Sequence, residues 1–363
     1  MSDILVTGFP GFLASALLPR LLARRDGARA LCVVQAQHLT TARHRVDELV
    51  ASEPDLAGRV VVVEGDITEP WLGLRADDRA GLADVSEVWH LAAVYDLTVG
   101  EQLARRVNVE GTARVLEVCA ALRGLSRLQY VSTCYVSGRY DGVFAEDSLD
   151  EGQSFLNHYE ATKFDAEMLV RKAMAGGLPA TIYRPGIVVG DSVSGATQKY
   201  DGPYFLASFL RRQGPIAVVP AVGDADRVRI SLVPRDFVIR AMDELSVLDC
   251  SLGRTYALTD PHPPTVRTLV DTFAHHLGKR VVWVPLPLRL ARTLLGGIPG
   301  LERLLGIPAE GLDYFASSTT YSTTATERDL QGTGVRCPAF ADYADTLLDF
   351  MADHPEVGSA AMV

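Results

Sequence analysis

Short apolar runs alternate with longer stretches of helical periodicity along the first half of the chain. Apolar residues dominate 3–7, 29–35, 60–64, 87–92, 128–132 and 180–183. Runs of that length predict strands buried on both faces. Between them, apolar positions recur every three or four residues over 12–25, 41–51, 101–122 and from Tyr159 to just before Gly176. That spacing predicts amphipathic helices. Strands alternating with helices predict an α/β chain with a parallel, doubly wound sheet, whose ligands lie beyond the carboxyl ends of the strands. After residue 190 the pattern loosens. Residues 191–227 are rich in Gly, Pro and polar side chains. Val228 to Leu232 and a helix over 234–245 read as a return to the sheet. From about Pro261 the chain reads as helices with Pro-rich joints. The expected division is 1–190 with 228–260 as one domain, and 191–227 with 261–363 as a smaller lobe.

Two stretches carry candidate chemistry. Gly8-Phe9-Pro10-Gly11-Phe12-Leu13-Ala14 joins the first strand to the first helix. Gly8 allows a tight turn there, and Gly11 lets the backbone approach a pyrophosphate at the helix N-terminus. The third small position is Ala14, where such turns usually have glycine. The plain alternative is an ordinary strand–helix turn. The second stretch holds Tyr159 and Lys163, which share one helical face because they are four residues apart. An ammonium beside a phenol favours the phenolate and lowers its pKa from about 10. The phenol then becomes an acid or base usable near neutral pH. The plain alternative is a chance pair on an exposed helix.

Composition narrows the field. The chain has 363 residues, 48% hydrophobic and 22% charged, which suits a globular protein with a large core. A net charge of −10 argues against general affinity for nucleic acid. Five scattered cysteines (Cys32, Cys119, Cys134, Cys250, Cys337) suggest neither a metal site nor a disulfide framework, and fit a reducing cytoplasm. The residues ahead of the first strand do not read as a signal peptide, and no apolar run is long enough to span a bilayer.

Further motifs fall at the predicted strand ends: Gly65-Asp66-Ile67-Thr68, His90-Leu91-Ala92-Ala93, Asn108-Val109-Glu110-Gly111-Thr112, Val131-Ser132-Thr133 and Arg184-Pro185-Gly186. With the glycine turn and the Tyr159–Lys163 pair, their order and spacing resemble the extended short-chain dehydrogenase/reductases. Within that family the chain is most similar to fatty acyl-CoA reductases and to the thioester-reductase domains of peptide and polyketide synthases. This closer likeness rests on the segment from Gly65 to Leu74, on Ser132-Thr133-Cys134-Tyr135-Val136, and on Val189-Gly190-Asp191-Ser192 with Gly195.

The resemblance implies a Rossmann-type sheet holding NAD(P)H, with a smaller, mainly helical C-terminal substrate lobe. It also implies Thr133, Tyr159 and Lys163 as the catalytic group. Hydride transfer to a carbonyl puts negative charge on its oxygen, which needs a proton or hydrogen bonds. Tyr159 would donate the proton and Thr133 a hydrogen bond, while Lys163 would lower the phenol's pKa and hold the nicotinamide ribose. By the same likeness Gly8, Phe9, Pro10, Gly11, Phe12 and Leu13 form the pyrophosphate turn. Asp66 and Ile67 flank the adenine, and Leu91, Ala92 and Ala93 line the cofactor. Asn108 sits near it, unless it is simply a polar residue facing water. Pro185 and Val188 touch the nicotinamide end. Asp191 and Ser192 read as a turn cap.

Two departures from the family pattern matter. Gln35 stands at the end of the second strand, where many NADP-preferring relatives carry arginine and NAD-preferring ones an acid. His38, Arg43 and Arg45 lie just beyond and can reach a 2′-phosphate or remain solvated. The absence of an acid favours NADP(H) over NAD(H). Thr133 is followed by Cys134 and Tyr135, not by the Asp-Glu pair of sugar-nucleotide dehydratases, which argues against elimination of water.

The leading expectation is an NAD(P)H-dependent reductase of an acyl thioester, on CoA or an acyl carrier protein, or of its aldehyde. The alternative is a related enzyme acting on a sugar nucleotide, a steroid-like alcohol or a 3-keto acid. A non-catalytic dinucleotide sensor is a third class, and retention of both Tyr159 and Lys163 speaks against it. A monomer or a homodimer is expected. Residues 285–307, apolar with Arg289, Arg292 and Arg303 interspersed, read first as paired core helices. The alternatives are a wall for a long acyl chain or a peripheral membrane contact.

Overall fold

The computed structural model describes residues 3–95, 99–287 and 318–358. One parallel sheet contains seven strands: β1 (Asp3–Thr7), β2 (Ala30–Val34), β3 (Val60–Glu64), β4 (Val85–His90), β5 (Arg127–Val131), β6 (Ala180–Pro185) and β7 (Thr255–Leu258). Their order is β3-β2-β1-β4-β5-β6-β7, so the direction of winding reverses between β1 and β4. Ligands of open α/β sheets bind at such a reversal.

The longer helices are α1 (Phe12–Ala23), α2 (Leu39–Ser52), α3 (Gly111–Ala121), α4 (His158–Ala175), α5 (Pro203–Arg211), α6 (Arg235–Ser246), α7 (Val266–His276) and α8 (Ala344–Asp353). Helices α1, α2, α3, α4 and α6 cover the sheet. The alternation of side chains along a strand explains the uninterrupted apolar runs, because both faces are covered. In β1, Ile4 and Val6 join Leu17, Leu18 and Leu21 of α1 and Phe237, Ala241 and Leu245 of α6. Leu5 points the other way, into a cluster with Val115 and Val118 of α3 and Ala166 and Val170 of α4.

A second buried cluster lies past the ends of the strands. It combines α5, α7 and α8 through Leu206, Leu210, Leu269, Phe273, Leu347 and Leu348. Two parallel ribbons flank it, Ile187–Val189 with Leu232–Pro234 and Ile216–Ala221 with Arg280–Pro285.

Two expectations are corrected. The stretch 228–232 does not rejoin the sheet. Its exposed Arg229 alternates with buried Val228 and Ile230, a pattern for one buried face. Thr255–Leu258 takes the last sheet position, with Tyr256, Ala257 and Leu258 all buried. Beyond Pro261, the β-branched Val281, Val282 and Val284 form a strand where helix was expected. The helix over 101–122 is continuous but contains a π-helical stretch, Arg105–Glu110, between Glu101–Ala104 and α3. Residues 288–307 of the apolar stretch read as core helices, acyl wall or membrane contact lie outside the described residues. Among the described residues, no helix is long and apolar enough to cross a membrane.

Candidate active site

A cavity of about 1290 Å3 runs past the ends of β1, β2, β4, β5 and β6 to α5. Pockets for one ligand usually measure about 300–1,000 Å3, so this one has room for a dinucleotide and a second molecule. Its floor is the glycine turn. Gly8 has φ +92°, and a Cβ there would lie 2.7 Å from Ala92 N. A Cβ on Gly11 would lie 2.6 Å from Gly8 O. Both positions therefore need glycine. No side chain caps α1 and its first turn holds no acid. Its leading N–H groups are left for an anion, and Phe12, Leu13 and Ala14 line the cavity beside them. The residues present thus fit a dinucleotide's pyrophosphate.

At the adenosine end, Gln35, Gln37, His38, Thr41 and Arg45 line the wall, whereas Arg43 does not. Arg45 pairs with Glu48 at 2.6 Å. Gln35 Nε2 donates to Asp66 Oδ2 at 3.0 Å, and Thr68 N donates to Asp66 Oδ1 at 2.8 Å. Asp66 stands behind the wall in support of Gln35, while its neighbours Gly65 and Ile67 line it.

The cavity's middle brings Thr133, Tyr159 and Lys163 together with Leu91, Ala92, Ala93, Pro185 and Val188. Thr133 lies two residues past the end of β5. Asn157 caps α4 by accepting Glu160 N at 3.0 Å, and Glu160 Oε2 accepts Leu156 N at 2.9 Å. This reciprocal cap fixes Tyr159 in the first turn. The Tyr159 hydroxyl is hydrogen-bonded to Thr133. Lys163, one turn on, is buried, and its Nζ donates to Tyr130 Oη at 3.1 Å and to Val131 O at 2.9 Å.

The electrostatics differ from the expectation. Burial raises the Tyr159 phenol above its ordinary range, and the bond to Thr133 offsets only part of this. The Lys163 ammonium, turned to Tyr130 and Val131, does not lower it. Burial pushes Lys163 itself down to about 7, against the opposing charge of Glu167. A phenol held above its ordinary range stays protonated near neutral pH, the state a proton donor requires.

Two motifs act from behind. Glu167 is fully buried and receives Arg184 at 2.6 Å, Arg171 at 2.9 Å and Ser132 Oγ at 2.6 Å. It therefore ties α4 to the ends of β5 and β6. Asn108, in the π-helical stretch, is buried and lies outside the cavity wall. Its Oδ1 accepts Val94 N at 2.9 Å, and its Nδ2 donates to Val94 O and to Thr162 Oγ1, both at 3.0 Å. It holds the segment that carries Ala92 and Ala93. Asp191 accepts Val193 N at 3.1 Å and Ser194 N at 3.0 Å, which makes it the turn residue anticipated.

The far end is largely apolar. Tyr95, Leu103, Phe205, Leu206, Ile230 and Leu269 line it, with the polar side chains of Thr197, Gln198 and Asp201 beside them. Lys199 also lines it, with Nζ 4.9 Å from the Tyr95 ring centroid and 2.9 Å from Asp201 Oδ2. Arg211, Arg212 and Arg227, the other cations of this region, are not in the wall. Sequence reasoning missed Tyr95, Phe205 and Leu206. The helical spacing of Phe205 with Phe209, in a stretch opening on Pro203, was the available signal.

A reversing parallel sheet, a glycine turn at a bare helix N-terminus and a Thr–Tyr–Lys group at one cavity define a nucleotide-dependent oxidoreductase. Comparison with known proteins agrees. A family model described as "Male sterility protein", an NAD-binding family, matches residues 6–242. The chain belongs to that family, and with it to the extended short-chain dehydrogenase/reductases. The terminal R domain from the myxalamid PKS-NRPS biosynthetic pathway shares 29% identity over 98% of this chain and 91% of that one, with a TM-score of 0.83. The non-canonical nonribosomal peptide synthetase FrzA of a Cladobotryum species is 27% identical over 90% of this chain. Aldehyde reductase lnaA of Aspergillus flavus is 27% identical over 71% of it. The chain spans only 34% and 26% of those two relatives' own lengths.

Proposed function

We propose that this chain reduces an acyl thioester, held on CoA or on a carrier protein, or the matching aldehyde. The observation that carries this reading is the Thr133–Tyr159 pair, set between a phosphate-binding turn and an apolar chamber. The similarity to an R domain of a synthase pathway, to a peptide synthetase and to an aldehyde reductase supports it. In this reading, 1–190 with 228–260 hold the cofactor, and 191–227 with 261–363 receive the acyl group, joined there by Tyr95, Leu103 and Ile230 from the first set.

When bound, the reduced nicotinamide supplies a hydride to the carbonyl carbon. Tyr159 gives its proton to the carbonyl oxygen as negative charge develops there, and Thr133 hydrogen-bonds the same oxygen. Reduction of a thioester in this way yields a hemithioacetal. It splits into an aldehyde and a free thiol when the hydroxyl proton passes to the leaving sulfur. Lys163 keeps one N–H beyond the two it gives to Tyr130 and Val131, and this is available to the nicotinamide ribose. The bare N-terminus of α1 receives the pyrophosphate.

NADP(H) is favoured over NAD(H). Among the described residues no acid lines the adenosine end, while His38, Thr41 and Arg45 do. Discrimination is modest, because Arg45 must leave Glu48 to bind a phosphate. The apolar chamber favours an acyl chain over a nucleotide sugar. The phosphates of such a sugar need cations, and among the described residues of the chamber only Lys199 supplies one.

The test is oxidation of reduced cofactor against a panel of acyl-CoA and carrier-bound thioesters, aldehydes, ketosteroids and sugar nucleotides. Turnover with medium or long acyl thioesters or their aldehydes is expected. Turnover confined to sugar nucleotides or steroids overturns the substrate assignment and leaves the fold untouched.

A further inference from the structure

His90, Thr112 and Tyr130 belong to no role described so far, although the first two sit in motifs legible from sequence. All three are buried. Their hydrogen bonds can be followed donor by donor. Thr112 Oγ1 donates to Asn108 O at 2.6 Å. With that proton committed, Thr112 Oγ1 can only accept at its 3.0 Å contact with His90 Nε2. The ring proton of His90 is therefore on Nε2. His90 Nδ1 is then an acceptor, and receives Thr7 Oγ1 at 2.7 Å. Thr7 Oγ1 in turn accepts Ala92 N at 3.3 Å. Burial and the nearby charge of Lys163 push His90 down to about 3, so the ring is neutral.

The same logic reaches Lys163. An ammonium has no lone pair, so Tyr130 Oη accepts its proton. Tyr130 is also hydrogen-bonded to Thr112; because the Thr112 proton goes to Asn108 O, the Tyr130 hydroxyl is the donor there. The ammonium also lies 4.7 Å from the Tyr130 ring centroid, where the ring's negative face attracts it.

We propose that Tyr130, with its hydroxyl oriented by Thr112 and His90, is a positioning residue that holds Lys163 in place and keeps it charged for the reaction. The proposal rests on the role given to Lys163 above. The chain Lys163–Tyr130–Thr112–His90–Thr7–Ala92 links α4, β5, α3, β4 and β1 through side chains that expose almost nothing to solvent. Each hydroxyl in it has one direction open to it. Turning any member leaves a buried donor or acceptor unpaired.

Other charges around Lys163 do not replace this contact. On its own helix, Glu167 favours the ammonium, but Arg184 and Arg171 draw on the same carboxylate. Tyr159 is neutral, as is His90 from β4. From β5, Tyr130 and the Val131 carbonyl are the direct acceptors.

The test compares Tyr130→Phe, Thr112→Val, Thr112→Ser and Lys163→Met. Two quantities are read for each: the affinity for reduced cofactor by nucleotide fluorescence, and the pH dependence of kcat/KM for that cofactor. Tyr130→Phe keeps the ring and removes the acceptor. Its high-pH loss of kcat/KM should begin about one pH unit lower than in the wild type, since a bond to a charged group is lost. Cofactor affinity should fall roughly tenfold. Thr112→Val should move the limb in the same direction by less, and Thr112→Ser should restore it. A residue that only fills space would change the melting temperature and leave the limb where it was. If Lys163→Met cripples turnover while Tyr130→Phe and Thr112→Val both keep the wild-type limb and affinity, the proposal is wrong. If Lys163→Met turns over like the wild type, the role given to Lys163 fails first, and this inference with it.

Discussion

The two ends of the cavity are built differently. At the sheet end, geometry leaves few choices: Gly8 and Gly11 admit no Cβ, Asn157 and Glu160 cap α4, and Lys163 has named partners for two of its protons. At the α5 end, Phe205, Leu206, Ile230 and Leu269 share only size and apolarity. One half is fixed by hydrogen-bond direction and backbone clearance. The other needs to be greasy and roomy, which many sequences satisfy. Chemistry in this molecule is therefore held constant by the strand ends, while substrate range can be re-cut in α5 and its neighbours.

Substitutions at the sheet end should break the reaction itself. Tyr159→Phe removes the proton donor and should lower kcat by about 10²–10⁴-fold, with cofactor binding kept. Stopped-flow rates beside a fluorescence titration measure both, and wild-type turnover would remove Tyr159 from the mechanism. Thr133→Ala should cost less, because the acid remains. Gly8→Ala puts a methyl 2.7 Å from Ala92 N at φ +92°. It should cost about 1–3 kcal/mol of stability and weaken cofactor binding, read from thermal melts with and without nucleotide.

Substitutions at the α5 end should leave chemistry alone. Leu206→Asn should raise KM for long acyl chains by roughly tenfold and leave short aldehydes nearly unaffected. Equal losses for both would make the two ends one unit. At the adenosine rim, Arg45→Ala should weaken NADPH several-fold and NADH hardly at all. A parallel titration of the two cofactors decides it, and equal weakening would place the 2′-phosphate elsewhere.

Lys163 also predicts a pH dependence of stability. Its pKa is about 7 in the fold, below the value of about 10.4 for an unperturbed lysine. Between those values the unfolded chain binds the extra proton. This group's contribution to stability therefore rises with pH across the window and is at its least below pH 7. Denaturant melts of cofactor-free protein should show a shallower rise over that range in Lys163→Met than in the wild type.

The same contrast explains what could be read from sequence. The six strands up to residue 185 were legible from their apolar runs, and the glycine turn and the Tyr159–Lys163 pair from residue types at fixed spacing, whereas Thr133 entered only through the family resemblance. The seventh sheet strand was not, because Thr255–Leu258 offers only three apolar residues between Arg254 and Thr259. Asp66 and Asn108 were legible as motif residues, but their partners were not: Gln35 and the Val94 backbone meet them only through the fold. The Tyr159 pKa was misread because spacing on a helix does not reveal that Lys163 turns to β5. The α5 wall was invisible for a plainer reason, since apolar residues in an amphipathic helix look the same whether they face a core or a cavity.

The central claim is that hydride reaches a thioester carbonyl in this cavity with Tyr159 as acid. The most direct measurement follows a label. Reduced cofactor carrying deuterium at the transferred position is mixed with a long-chain acyl thioester, and the products are weighed by mass spectrometry. The account predicts an aldehyde with one deuterium on its carbonyl carbon, or an alcohol with more, together with free thiol, and almost none of either from Tyr159→Phe. Intact thioester beside deuterium transferred to a keto-sugar or steroid substrate would contradict it.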